Sequence, residues 1–228
     1  MIIREYGDPA ARVILVQPVG QHELPLIDDE IVQIGQMTDR PFRYLAVQVE
    51  NWNRDLSPWP APAVFGDEDF GDGAEALLEE ILPLCAEQDK DYIIGGYSLA
   101  GLFALWSTCR TDVFSGAAAA SPSLWFPGFS AYMKEKGLEC ETVYLSLGMR
   151  EEKTRNPVMR TVGDCARHCY AWMKEQGVNC TLEWNPGNHF KEPGLRTAKA
   201  FAWVMNHIRE KPAHAAEKRN MKKPENFC

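Results

Sequence analysis

Apolar residues follow two repeating patterns along this chain. Short runs of β-branched and small apolar residues, typical of buried strands, alternate with segments where apolar residues recur every three or four positions, as in amphipathic helices. The strand pattern occurs at 12–18, 42–49, 91–95, 115–121, 142–147 and 181–184, and 1–6 is expected to add an edge strand. The helical pattern occurs at 26–37, from about 72 to Pro83, and at 99–109, 157–176 and 194–210. This alternation predicts the α/β class, with a mostly parallel sheet of about six to seven strands and helices on both faces.

A single domain is expected to contain most of the chain. The length of 228 residues suits one large α/β domain, and no internal repeat is present. We therefore expect 1–210 to form this domain. The segment 211–228 is polar and basic with two prolines, and is expected to be a flexible tail. No insertion is long enough for a separate cap domain, which predicts an open or shallow site.

A serine lies where a predicted strand turns into a predicted helix. The sequence Gly96-Tyr97-Ser98-Leu99-Ala100 nearly fits the G-x-S-x-G nucleophile elbow, with Ala100 at the last small position. The elbow needs small neighbours because strand and helix approach closely there, and its sharp turn exposes the serine hydroxyl. Ser98 is therefore the candidate nucleophile. The alternative interpretation is a glycine-rich strand-to-helix turn that contains a serine by chance.

A serine hydroxyl needs a base to remove its proton, and His189 is the candidate. His189 stands in a turn-rich loop directly after the sixth predicted strand, at the sheet edge where the serine is expected. The other histidines after Ser98 are His168 and His207, inside predicted helices, and His214 in the predicted tail.

An acid that orients the histidine should follow the fifth predicted strand, in the chain order serine, acid, histidine. The loop after 142–147 offers Glu151 and Glu152 and no aspartate. We favour Glu151 as the acid, with Glu152 as the alternative. The other glutamate is then an ordinary surface residue.

The negative charge that develops during ester cleavage needs backbone amide donors. One is expected to be the amide of Leu99, directly after the nucleophile. The second should come from the loop after the strand at 12–18. Pro18 has no N–H group, so Val19 is our choice and Gly20 the reserve.

These motifs resemble those of the esterase branch of the α/β-hydrolase superfamily, which includes esterase D-like and siderophore-esterase-like enzymes. The elbow at 96–101, the segment Ser121-Pro-Ser-Leu-Trp125, the acid loop at 147–151 and the base loop at 186–190 carry the resemblance. It implies the α/β-hydrolase fold and the acid three residues after Gly148. Two departures are Ala100 in place of the usual glycine and the lack of a His-Gly pair after the first strand.

Aromatic residues are expected to border the substrate pocket. The segment 51–65 is rich in tryptophan and proline and follows the end of a predicted strand, and Trp125 follows another strand end. We predict that Trp59 and Trp125 line the pocket. The alternative is that the segment is a rigid loop packed on its own core.

Composition narrows the partners. A net charge of −8 and a pI near 5.2 argue against nucleic acid or an anionic membrane as the main partner. No apolar run approaches a membrane span, and the N-terminus lacks a signal-peptide pattern, so we expect a cytoplasmic protein. The seven cysteines form no CxxC pair; Cys165, His168 and Cys169 share a helical face but lack a fourth ligand, so no metal site is expected.

The sequence therefore predicts a serine hydrolase that cleaves a small-molecule carboxylic ester without metal or organic cofactor. Ser98, His189 and Glu151 would form its triad. An acyltransferase or thioesterase with the same triad is the nearest alternative. A non-catalytic binding protein on a hydrolase fold is the alternative outside enzymes. The identity of the acyl and alcohol groups and the oligomeric state stay open.

Overall fold

A seven-stranded sheet organises residues 2–209, the part of the chain that this computed structural model describes. The strand order is β1-β3-β2-β4-β5-β6-β7, and every neighbouring pair is parallel except β1 with β3. The strands are β1 Ile2–Gly7, β2 Val13–Val19, β3 Phe42–Gln48, β4 Asp91–Tyr97, β5 Phe114–Ala120, β6 Thr142–Gly148 and β7 Asn179–Asn185. The predicted mostly parallel sheet is confirmed. Met1 and the predicted tail at 211–228 lie outside the described residues.

Helices cover both faces of this sheet. They are α1 Ile27–Met37, α2 Trp52–Asp55, α3 Ala74–Ile81, α4 Leu99–Thr108, α5 Phe129–Lys136, α6 Val162–Glu175 and α7 Pro193–His207. The apolar residues of α1 and α7 pack on one face, and those of α3 to α6 pack on the other. Among residues 2–209, no helix is long and apolar enough to cross a membrane.

Two helices differ from the sequence prediction for identifiable reasons. The short α2 lies in the proline-rich segment 51–65, where the sequence pattern indicates no helix, and the Asn51 side chain caps it by accepting the Arg54 amide. The helix α5 was missed because only Phe129 and Met133 of its eight residues are buried, which leaves a weak periodic signal. As predicted, α3 ends before Pro83.

Small residues let β4, α4 and β5 approach closely. A Cβ atom added at Gly96 would lie 2.6 Å from the Cβ of Ala100, closer than real contacts allow. One added at Gly95 would lie 2.6 Å from the Phe201 ring, and one at Gly101 would lie 3.0 Å from the Gly96 carbonyl oxygen. The glycine and alanine spacing of the elbow is therefore a packing requirement of this fold.

The helix α1 carries a buried acidic side chain, Glu30. Glu30 is 4% exposed, and its carboxyl group accepts a hydrogen bond from the Tyr44 hydroxyl at 3.2 Å. Burial, with the charge of Glu23 as a second cause, raises the pKa of Glu30 from 4.5 to about 8. The folded protein therefore holds this proton at pH values where an unfolded chain has released it, and the resulting stabilisation is lost as the pH rises from 4.5 through 8.

We expect Glu30→Gln to remove this pH dependence. Glutamine keeps an acceptor for Tyr44 but carries no charge, so the variant should melt progressively higher than the wild type as the pH rises from 5 to 9. Each ~1 kcal/mol corresponds to about 2–4 °C in a chain of this size. Melting curves at both pH values check this, with Glu79→Gln, an exposed residue of α3, as the matched control. An equal difference at pH 5 and pH 9 would contradict the prediction.

Candidate active site

Ser98 lies at the turn between β4 and α4 in a strained backbone conformation. Its φ of 57° and ψ of −117° are unusual for a residue with a side chain. The backbone is held on both sides, because the Ser98 amide donates to the Ala120 carbonyl and the Ser98 carbonyl accepts from the Ser123 amide. This geometry directs the Ser98 hydroxyl group into a cavity beyond the carboxyl ends of the strands.

The structure brings Ser98, His189 and Glu151 into one hydrogen-bonded chain. The Nε2 atom of His189 lies 3.0 Å from the Ser98 Oγ, and its Nδ1 atom lies 2.8 Å from Oε2 of Glu151. The three residues come from loops after β4, β7 and β6. This is the arrangement in which a histidine can take the serine proton while a carboxylate stabilises the charged ring.

Glu151 is held rigidly and stays ionised. Its Oε1 atom accepts the Gly148 amide at 2.6 Å and the Ser121 hydroxyl at 2.9 Å. Burial alone raises the pKa of Glu151, but the hydrogen bond and charge of His189, with these two donors, outweigh it and lower the pKa. Glu152 points elsewhere, since its carboxylate pairs with Arg167 at 2.9 Å.

A buried arginine, which the sequence analysis missed, supports this acid from behind. Arg196 of α7 is 1% exposed, and its Nη1 atom lies 2.9 Å from Oε1 of Glu151. Its guanidinium group makes four further hydrogen bonds, to the Tyr97 hydroxyl, the Ser121 Oγ, and the carbonyls of Pro186 and Asn188. The only sequence signal was a charged residue on the apolar face of a predicted helix, which the amphipathic pattern does not require.

The candidate oxyanion donors differ in whether their amides are free to bind a substrate oxygen. Leu99 is the first residue of α4, so its amide has no acceptor within its own helix and lies directly beside the nucleophile. The prediction for Val19 is wrong, because Val19 is the last residue of β2 and its carbonyl accepts the Val49 amide. In a parallel ladder the amide and carbonyl of one residue face the same neighbouring strand, so the Val19 amide faces β3 and not the site. The amide of the reserve residue, Gly20, donates to the Glu23 carboxylate at 2.9 Å. Within residues 2–209, the Gln21 amide in the same turn has no protein acceptor.

A cavity of about 570 Å³ opens beside Ser98, and we call it the serine cavity. Its walls are mostly apolar and aromatic, from Leu26, Trp52, Phe65, Trp125, Met159, Phe190 and Pro193, with His22, Glu23, Tyr97, Thr154 and His189 as its polar members. Trp125 lines it as expected. Trp59 does not: its ring packs against Phe126 and Tyr132, and its indole N–H donates to the Pro127 carbonyl. The proline-rich segment thus contributes Trp52 and Phe65 instead.

A second cavity of about 400 Å³ adjoins the serine cavity. We call it the basic cavity, because Arg150 and Lys153 line it together with Asn188. The two cavities share His189, Trp125 and Phe190 among their walls. A ligand that spans both cavities would therefore pass close to these shared residues.

The cysteine-containing face of α6 does not assemble a metal site. The Cys169 thiol is buried in the core, 3.6 Å from the Ser130 hydroxyl, and Cys165 contacts the Thr161 hydroxyl. In the part of the chain from residue 2 to residue 209, no three His, Cys, Asp or Glu side chains are grouped closely enough to hold a metal ion.

Several solved structures that are similar to this chain are hydrolases. The siderophore hydrolase EstA from Aspergillus nidulans matches with a TM-score of 0.66 at 16% identity, covering 90% of this chain and 89% of its own. An IroE-like serine hydrolase from Shewanella oneidensis matches with a TM-score of 0.68 at 15% identity, covering 85% and 70%. The Bacillus cereus carboxylesterase matches at 0.57 and 17% identity, covering 90% and 92%. No protein-family model and no curated protein sequence matches the chain. The chain has the α/β-hydrolase fold that these esterases and serine hydrolases share.

Proposed function

We propose that this protein is a serine hydrolase that cleaves a small-molecule carboxylic ester through an acyl-enzyme. The observation that carries the proposal is the continuous chain from the Ser98 hydroxyl through His189 to the buried Glu151 carboxylate, at 3.0 and 2.8 Å. The strained backbone at Ser98 and the adjoining serine cavity support it further. The esterases and serine hydrolases among the similar structures support hydrolysis of an ester bond.

Acylation begins at Ser98. His189 Nε2 removes the hydroxyl proton as the Ser98 Oγ attacks the ester carbonyl, and the charge on the imidazolium is stabilised by Glu151. The carbonyl oxygen becomes negatively charged, and the Leu99 amide at the α4 N-terminus donates to it. We expect the second donor in the turn after β2, where the Gln21 and His22 amides have no protein acceptor within residues 2–209. The tetrahedral intermediate then collapses, and the leaving alkoxide takes the proton from His189.

Deacylation repeats these steps with water. His189 removes a proton from a water molecule, which attacks the acyl-serine carbonyl, and the proton then returns to the Ser98 oxygen as the carboxylic acid leaves. The steps use only side chains and backbone amides of this chain, the substrate and one water molecule. A panel of p-nitrophenyl esters of rising chain length, with a matched thioester and amide, tests the reaction class. Faster turnover of the thioester, or transfer to an added alcohol, would instead support the thioesterase or acyltransferase alternative.

Ser98→Ala should abolish both p-nitrophenyl acetate hydrolysis and covalent labelling by a fluorophosphonate, because no other hydroxyl is held in an elbow next to His189. The melting temperature should change little. Ser123→Ala is the matched control, since that hydroxyl lies only 3.3 Å from the Ser98 Oγ but outside the strained turn. Labelling that persists in Ser98→Ala and disappears in Ser123→Ala would remove Ser98 from the mechanism. Complete inertness of the wild type towards all esters and the label would favour a binding protein.

Replacement of the two loop glutamates should have very different effects on kcat. Glu151→Gln is expected to lower kcat by ~10²–10⁴-fold, because glutamine cannot stabilise the imidazolium. Glu152→Gln should leave kcat within about twofold, since it loses only a surface ion pair with Arg167. Steady-state kinetics on both variants check this. The reverse ranking would make Glu152 the acid.

Arg196 should act as a positioning residue for Glu151. Arg196→Lys keeps the positive charge but cannot reproduce five hydrogen bonds, so kcat should fall while KM for a small ester changes little. Arg196→Met should in addition lower the stability by about 3–5 kcal/mol, because it leaves a buried carboxylate without its partner. Kinetics and thermal melting separate the two effects. Full activity in Arg196→Lys would show that Glu151 needs no such support.

A further inference from the structure

Glu23 combines a place in the serine cavity with a fixed backbone position. It lies in the turn after β2, where its Oε2 atom accepts the Gly20 amide at 2.9 Å and its own amide donates to the Gly20 carbonyl at 3.0 Å. This reciprocal pair resembles the capping box of a helix and holds the turn in place. The carboxyl group thus has a structural role that uses one of its two oxygens.

That structural role does not require a charge. A neutral glutamine could accept the same amide, whereas the Glu23 carboxylate has no cationic partner among residues 2–209. The neighbouring titratable group that interacts with it, Glu30, is an acid and supplies no positive charge. Burial raises the pKa of Glu23 to about 7, and its hydrogen bond from Gly20 offsets this only in part. The fold therefore keeps a half-buried carboxyl group without a cationic partner on the wall of the serine cavity.

The rest of the serine cavity is suited to a cation. Trp52, Phe65 and Trp125 contribute aromatic rings to its walls, and aromatic faces attract ammonium groups, most strongly where water is excluded. The cavity volume of about 570 Å³ accommodates an alkyl or benzyl ammonium group. Arg150 and Lys153 of the basic cavity would repel such a group and so favour its binding in the serine cavity.

We propose that the serine cavity selects esters in which the group beside Ser98 carries a cationic amine, bound by the Glu23 carboxylate and the surrounding aromatic rings. That the ligand is an ester rests on the proposed function, but binding of the cationic group can be measured without any turnover. A ligand ammonium group supplies the opposite charge that the protein does not provide. Neutral esters of the same size would enter the cavity without this pairing.

The test compares two small ligands of nearly equal shape, benzylammonium and benzyl alcohol. Their affinities are measured by calorimetry at pH 8, where Glu23 is mostly ionised, on the wild type and on Glu23→Gln. Glutamine preserves the acceptor for Gly20 and removes only the charge. Asp28→Asn, an exposed residue of α1 outside the serine cavity, is the matched control for a change in net charge.

We expect the wild type to bind benzylammonium about tenfold or more tightly than benzyl alcohol, as one charge-assisted contact implies. Glu23→Gln should lose that preference, and Asp28→Asn should keep it. Equal affinities in the wild type would overturn the proposal even if the variant does not fold. A preference that persists in Glu23→Gln would overturn it as well. Because the readout is binding, a protein that hydrolyses no ester still gives a decisive result here.

Discussion

The buried ion pair between Glu151 and Arg196 is the contact on which the candidate site depends. It joins the loop after β6 to α7, and the same guanidinium group reaches Tyr97 of β4 and the carbonyls of the loop that carries His189. Two charges in a dry interior are stable only when both are fully paired. The pair therefore fixes four separate chain segments relative to one another.

The division of the two Glu151 oxygens follows from this pair. Oε1 accepts from Arg196, Ser121 and the Gly148 amide, so it has no capacity left for the histidine. Oε2 is left to face Nδ1 of His189. Fixing the carboxylate from behind also fixes the plane of the imidazole ring, since a ring held through Nδ1 presents Nε2 to Ser98 in one orientation. A packing constraint and a chemical one thus coincide at one side chain.

Local sequence signals were enough for the parts of the structure that local chemistry determines. Strand runs and helical periodicity predict the sheet, and the small residues Gly96 and Ala100 indicate the elbow, where strand and helix are closely packed. The positions of Ser98, His189 and Glu151 followed from strand ends that a parallel sheet brings to one edge. Their roles remain predictions until activity is measured.

The features that could not be predicted from the sequence depend on the direction in which a backbone amide or a side chain points. Val19 appeared to lie just beyond a strand but completes it, so its amide faces the neighbouring strand. Trp59 and Trp52 are both tryptophans of one proline-rich segment, and only their packing shows that Trp52 lines the serine cavity. The role of Arg196 could not be predicted from local sequence because its partner, Glu151, is 45 residues distant in the chain. Periodicity reports burial, but not the long-range partner that makes burial of a charge possible.

Glu151 and Glu23 show how the same side chain acquires opposite properties within one site. Glu151 is buried and Glu23 is half-buried, and burial acts on the pKa of both carboxyl groups in the same direction. Glu151 meets His189, Arg196 and two further donors, so its pKa falls and it stays charged. Glu23 accepts a single amide and has no cationic partner among residues 2–209, so burial prevails and raises its pKa to about 7. Groups whose environments separate their pKa values in this way take different chemical roles. The compensated carboxylate is built to serve the imidazole, whereas the uncompensated one needs a partner from outside the chain.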